Sequence, residues 1–125
     1  MFKELPMKQK ILICDDEQNI CEAYKLILEE LYDLHIVNSG QDALAALKKD
    51  KDIKVMFLDI KMPKVSGLSV LNEIKTQFPH LKIIMVTGYR SVEAASEATR
   101  LGASGYIIKP FKSQDILDTV KRNLN

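Results

Sequence analysis

Two hydrophobic rhythms alternate along the chain. Short apolar runs occupy residues 11–14, 34–37, 55–58, 83–86 and 106–108. Several are continuous rather than alternating, the pattern of strands covered on both faces in a parallel sheet. Between them, apolar residues recur at spacings of three and four, the period of an amphipathic helix. The first stripe is Ile20, Ala23, Ile27 and Leu31, and the second is Ala43, Ala46 and Leu47, with Ser39 placed to cap it. The third, Gly67, Val70, Leu71, Ile74 and Phe78, is ended by Pro79. The fourth, Val92, Ala95, Ala98 and Thr99, stops near Gly102, and the last, Ile116, Leu117, Val120 and Leu124, has Ser113 placed to cap it.

The pattern makes five strand–helix units, a (βα)5 chain of the α/β class. Strands separated by helices imply right-handed crossovers and a mostly parallel sheet with helices on both faces. Five units are too few for a closed eight-stranded barrel. The expected architecture is a flavodoxin-like doubly wound sheet, strand order 2-1-3-4-5. Residues 1–7, which contain Pro6, are expected to form a short fraying tail, with Met7 an alternative start, and residues 8–125 one domain.

Composition narrows the class without naming it. A chain of 125 residues hides roughly two thirds of its unfolded surface on folding, enough for one core. Its 18 Lys and Arg nearly cancel 17 Asp and Glu, which argues against a basic surface for nucleic acid or membrane. Hydrophobic residues at 46% and charged residues at 28% exclude a disordered chain. Cys14 and Cys21 make neither a disulfide framework nor a zinc ladder and read as buried packing residues. No apolar run approaches a membrane span, and no secretory signal is visible, so the expected location is cytoplasmic.

In open α/β sheets ligands bind beyond the carboxyl ends of the strands. The residues just past each apolar run are therefore informative. Asp15 and Asp16 come after the first, Asp59 after the third, Thr87 and Gly88 after the fourth, and Lys109 and Pro110 after the last. Taken singly, each has a plain structural reading as a cap, a turn or a solvated side chain. Together they bring three carboxylates, a hydroxyl and an ammonium to one rim. Three carboxylates a few Å apart repel one another and raise at least one pKa. A lysine or Mg²⁺ resolves the conflict, and Mg²⁺ prefers one or two carboxylates, waters and a phosphate oxygen. The rim thus reads as a site for Mg²⁺ and a phosphoryl group.

These residues resemble the response regulator receiver domains of two-component signalling, and the single-domain chemotaxis regulators among them. The resemblance spans residues 8–125. It is carried by Asp15-Asp16, by Phe57-Leu58-Asp59-Ile60-Lys61-Met62-Pro63 with Ser66-Gly67-Leu68, by Val86-Thr87-Gly88, and by Leu101-Gly102-Ala103 leading to Tyr106-Ile107-Ile108-Lys109-Pro110-Phe111. It implies that Asp59 accepts a phosphoryl group from a phosphohistidine of a sensor kinase or phosphotransfer protein. It implies Asp16, Asp59 and the backbone carbonyl of Lys61 as Mg²⁺ ligands, with Asp15 acting mostly through water. Thr87, beside Gly88, would bond a phosphoryl oxygen, Lys109 would pair with the phosphoryl group, and its bond to Pro110 would be cis. Tyr106 would be the aromatic switch, with the helix 4–strand 5–helix 5 surface as output and as a possible homodimer face. A downstream output domain or protein is the further implied partner, and direct contact of this domain with nucleic acid or membrane is not. The chain would be a switch that catalyses only its own phosphorylation and dephosphorylation.

Two residues depart from the commonest receiver pattern. Lys61 and Tyr89 stand two positions after Asp59 and Thr87, where flanking side chains tune dephosphorylation in the family. Rival readings fit less well. A flavin carrier wants a Ser/Thr/Gly-rich phosphate loop where this chain has Asp15-Asp16-Glu17, and an aspartate phosphatase wants a second Asp where Lys61 stands. No Gly-x-x-x-x-Gly-Lys loop is present. The remaining alternative is a receiver-like interaction module that does not use phosphorylation.

Overall fold

The structure, a computed structural model, describes residues 7–60, 66–88 and 90–124. Strands and helices alternate throughout: β1 (Lys10–Cys14), α1 (Gln18–Leu28), β2 (Asp33–Val37), α2 (Gly40–Lys49), β3 (Val55–Leu58), α3 (Gly67–Gln77), β4 (Lys82–Thr87), α4 (Val92–Arg100), β5 (Gly105–Ile108) and α5 (Ser113–Leu124). All strand pairs are parallel and the order is β2-β1-β3-β4-β5, as the hydrophobic pattern and the fold class led us to expect.

Side chains alternate across the sheet, so each strand feeds two cores. Leu12, Cys14, Met56, Leu58, Ile83 and Met85 face α2, α3 and α4, where Leu47, Leu71 and Ile74 meet them. Ile11, Ile13, Val55, Phe57, Ile84 and Val86 face α1 and α5, where Tyr24, Leu28, Ile116 and Val120 meet them. Continuous apolar runs are needed because both faces are covered. The edge strands β2 and β5 are only partly buried.

Two helix faces differ from the expected stripes. The buried residues of α1 are Cys21, Tyr24 and Leu28, one step from the expected positions, and Leu31 is exposed beyond the helix end. Tyr24 decides the phase: its ring packs on Phe57 and Phe111 with centroids 5.3 and 5.1 Å away. On α4 the buried pair is Ala94 and Ala98, and Val92 is exposed. Ser91 fixes that phase by accepting a hydrogen bond from the Ala94 amide at 3.1 Å. Ser39 does cap α2, accepting from the Asp42 amide at 3.1 Å, whereas Ser113 is the first residue of α5 rather than a residue before it. Gly102 closes α4 with φ near +102°, a conformation that favours glycine.

Candidate functional site: a carboxylate rim around Lys109

The site is built where the strands end. Three backbone bonds extend the sheet ladder one residue past its regular strands. The Asp15 amide donates to the Val37 carbonyl (3.1 Å), the Asp59 amide to Cys14 (3.1 Å) and the Lys109 amide to Thr87 (2.8 Å). Asp15, Asp59 and Lys109 therefore keep the alternation of their strands. Each lies an even number of residues from Ile13, Phe57 and Ile107 respectively, all on the α1–α5 side. Thr87, two residues beyond Met85, has the parity of the opposite side and is fully buried as the last residue of β4.

The Lys109 ammonium lies 3.0 Å from Asp15 Oδ2, 3.0 Å from Glu17 Oε1 and 3.3 Å from Asp59 Oδ2. Asp15 and Asp59 are buried, at 1% and 3% relative exposure, and Glu17 is exposed. Asp15 is held from both ends. Its Oδ1 accepts the Glu17 amide at 2.9 Å, and its carbonyl accepts the Asn38 side-chain amide at 3.1 Å. Oxygens of Asp15, Glu17 and Asp59 lie within 4.8 Å of one another.

Burial pushes the Asp15 carboxyl up, more than the Glu17 amide and the Lys109 ammonium pull it down. Burial pulls Lys109 down, but its bonds to Asp15 and Glu17 and the charges of Asp15 and Asp59 outweigh that, leaving it raised and protonated. The Cys14 thiol is pushed up to about 12 by burial and then by the charges of Asp15 and Asp59, so it is inert at neutral pH.

Charge counting explains what the rim can take. Three carboxylates around one ammonium leave two negative charges uncompensated when all are ionised. The donors are hard oxygens, and Glu17 opens the group to solvent, a set that suits Mg²⁺. Of the expected ligands, Asp15 and Asp59 come together, while Asp16 is exposed and outside this group. Lys61 and Tyr89 lie outside the described residues. Gly88 is exposed, with open space where a side chain would begin. Tyr106 is half-buried against the α2–α3–α4 core, and the Lys109–Pro110 bond is cis.

Glu17 was not among the candidate residues. It precedes α1 with an extended backbone (φ −91°, ψ 114°), and its carboxylate joins those of Asp15 and Asp59. A second unforeseen contributor is Gly67. Its amide donates to the Ile60 carbonyl at 2.7 Å, and a Cβ there would stand 2.3 Å from the Asp59 carbonyl oxygen and 2.5 Å from the Ile60 Cα. Only glycine lets the start of α3 close on the peptide that carries Asp59.

Residues 11–121 match the family model of the response regulator receiver domain. The chain belongs to that family. Receiver domains are signalling switches of two-component systems, and this one has relatives both in sequence and in structure. It is 33% identical over 118 residues to the response regulator protein FleR of Pseudomonas aeruginosa, covering 94% of this chain and 25% of FleR. The CheY-like receiver domain protein of Methanospirillum hungatei superposes with a TM-score of 0.88 at 35% identity, covering 95% of this chain and 94% of that one. The BeF3-activated DrrB receiver domain gives a TM-score of 0.84 at 30% identity, covering 94% and 98%. The chain thus spans about a quarter of the length of the curated relative and nearly all of the solved receiver domains. Among the described residues, no helix is long and apolar enough to cross a membrane.

Proposed function

We propose that this receiver domain accepts a phosphoryl group on Asp59 in a Mg²⁺-dependent reaction and uses the added charge to switch its α4–β5–α5 surface. The observation that carries this reading is the buried Asp15–Lys109–Asp59 cluster, which with Glu17 holds two negative charges in excess at the carboxyl rim of a receiver fold.

An Asp59 carboxylate oxygen attacks phosphorus in line with the leaving group. The new P–O bond forms as the donor's bond breaks, a P–N bond when the donor is a phosphohistidine of a sensor kinase or phosphotransfer protein. The imidazole leaves with the bonding electron pair and takes a proton from solvent. Such transfer asks mostly for positioning and charge neutralisation. Position comes from the ladder bond at the Asp59 amide and from Gly67 behind its carbonyl. Lys109 supplies a fixed positive charge that follows the phosphoryl oxygens, and the Thr87 hydroxyl supplies a donor one strand away. Asp15, Asp59 and the neighbouring Asp16 are the side chains that would hold Mg²⁺, together with the Lys61 carbonyl. Bound there, the ion offsets charge on the attacking carboxylate and the phosphoryl group.

A phosphoryl group brings about −1.5 to −2 charge. Drawing Thr87 and Lys109 toward it pulls on the ends of β4 and β5, where Gly88, Tyr106 and Pro110 lie. The kinase or phosphotransfer protein and an output domain or protein are the partners this reading requires, and the α4–β5–α5 face is the surface a second copy would use if the domain dimerises. Lys61 and Tyr89 flank the site in sequence and are proposed to tune the lifetime of the phosphorylated state.

Intact mass after incubation with acetyl phosphate tests the reading. The wild type should gain one phosphoryl group only with Mg²⁺ present, and Asp59→Asn should gain none. A wild type that gains nothing, and that takes no beryllofluoride either, would leave the unphosphorylated interaction module as the better description.

A further inference from the structure

An ammonium has three N–H bonds, and in this structure Lys109 faces three carboxylates. Asp15, Glu17 and Asp59 lie at 3.0, 3.0 and 3.3 Å from Nζ, and together they match its whole donor capacity. A phosphoryl group on Asp59 takes over the one position that the Asp59 carboxylate holds on Lys109, and a second phosphoryl oxygen can pair there only if Asp15 or Glu17 gives way. Asp15 is nearly fully buried, fixed by the Glu17 amide on Oδ1 and by Asn38 on its carbonyl. The Glu17 side chain is 58% exposed and reaches Lys109 from the N-cap position of α1, where it makes no capping hydrogen bond. Water can replace its partner at small cost, since exposed ion pairs contribute little.

We infer that Glu17 is the displaceable counter-ion of Lys109: it occupies the ammonium while Asp59 is unmodified and swings away when a second phosphoryl oxygen pairs with Lys109. Glu17 is therefore a positioning residue that opposes phosphorylation, through competition for Lys109 and through the negative charge it adds at the open side of the rim. This rests on the phosphoacceptor role of Asp59 and adds to it a residue that restrains the reaction.

The probe is beryllofluoride with Mg²⁺, titrated into the wild type, Glu17→Gln and Glu22→Gln, alongside initial rates of phosphorylation by acetyl phosphate. Glu22 is an exposed carboxylate of α1 that pairs with Lys25 at 3.3 Å rather than with Lys109, so its loss changes net charge equally. Glu17→Gln should bind beryllofluoride about 2–5-fold tighter and phosphorylate faster by a similar factor, the range expected for release of one exposed charge pair. Glu22→Gln should match the wild type. The gain should shrink at ~1 M salt, where the screening length falls to ~3 Å. A structural role for Glu17 would move the unfolding midpoint and leave this salt-dependent gain absent.

Glu17→Gln equal to or weaker than the wild type would overturn the inference, and so would an equal gain in Glu22→Gln, which would make the effect one of general charge. A wild type that takes no beryllofluoride would overturn the phosphoacceptor reading and this inference with it. A wild type that takes it while Glu17→Gln shows no gain would overturn this inference alone.

Discussion

Two lysines of this domain are drawn into the protein, and their surroundings are opposite. Lys109 meets three carboxylates at the carboxyl rim of the sheet. Lys75, near the end of α3, donates to two neutral carbonyls, Pro79 at 2.7 Å and Leu81 at 3.0 Å. Burial works against the charge of both. For Lys109 the acids overcome it and the ammonium is held above its ordinary range. For Lys75 nothing does, and with Lys82 nearby the ammonium is held below it. Lys75 shows what a structural lysine needs: dipoles that satisfy its N–H groups and tie a helix end to the adjoining turn. The excess of negative charge at Lys109 goes beyond any such need. A fold gains nothing from gathering three carboxylates unless something cationic or reactive uses them.

Replacing Lys109 should break the contrast most visibly. Lys109→Met leaves Asp15 and Asp59 buried without their cation, and removal of one partner from a buried pair costs about 3 kcal/mol or more. Urea unfolding at pH 7 without divalent ions should show that loss, and added Mg²⁺ should restore part of it. The same variant should fail to hold a phosphoryl group in the switched state. A Lys109→Met variant as stable as the wild type at pH 7 would mean that the rim carboxylates are not ionised together.

Lys75→Met should have a smaller effect confined to stability. It removes two hydrogen bonds from partly exposed carbonyls, worth about 1 kcal/mol in sum once the methionine's packing is counted. Phosphorylation by acetyl phosphate, measured by intact mass, should proceed at the wild-type rate. A change in that rate would couple the end of α3 to the rim and erase the distinction drawn between the two lysines.

The same contrast explains what could be read from the sequence. The strand runs and the rim position of Asp15, Asp59, Thr87 and Lys109 were legible because each obeys a local rule, a buried run and then the residue that ends it, whereas the strand order followed only by analogy with other five-stranded doubly wound sheets. The two helix faces that came out only partly right, on α1 and α4, hinge on side chains whose polarity disguises burial or the reverse. Tyr24 packs two aromatic rings despite its hydroxyl, and Val92 is exposed because Ser91 fixes the first turn. Glu17 and Gly67 needed three dimensions. One reaches Lys109 across 92 residues of chain, and the other, although part of the Ser66-Gly67-Leu68 motif, matters through a backbone contact that only the fold displays. Lys75 gave no sequence signal either, since its partners are carbonyls that any residue would supply.

The subtlest test concerns Asp15, whose carboxyl is pushed above its ordinary 3.8 mainly by burial, the nearby Lys109 notwithstanding. A carboxyl raised on folding keeps its proton in the native state over a range where the unfolded chain has lost it. Its contribution to stability is therefore complete below pH 3.8 and lost as pH rises through the native value. At pH 7, with no divalent ion, Asp15 is thus a net cost, and Asp15→Asn should be more stable than the wild type by on the order of 1 kcal/mol. That advantage should vanish in urea titrations near pH ~3.5, where both side chains are neutral. Added Mg²⁺ should reverse the order at pH 7, because an ion at about 100 times its Kd stabilises the native wild type by about 2.7 kcal/mol, and Asp15→Asn should keep only part of that gain. If Asp15→Asn is instead less stable at pH 7 without metal, then Lys109 more than compensates the buried acid, and the rim resembles the satisfied environment of Lys75 rather than a strained one awaiting a cation.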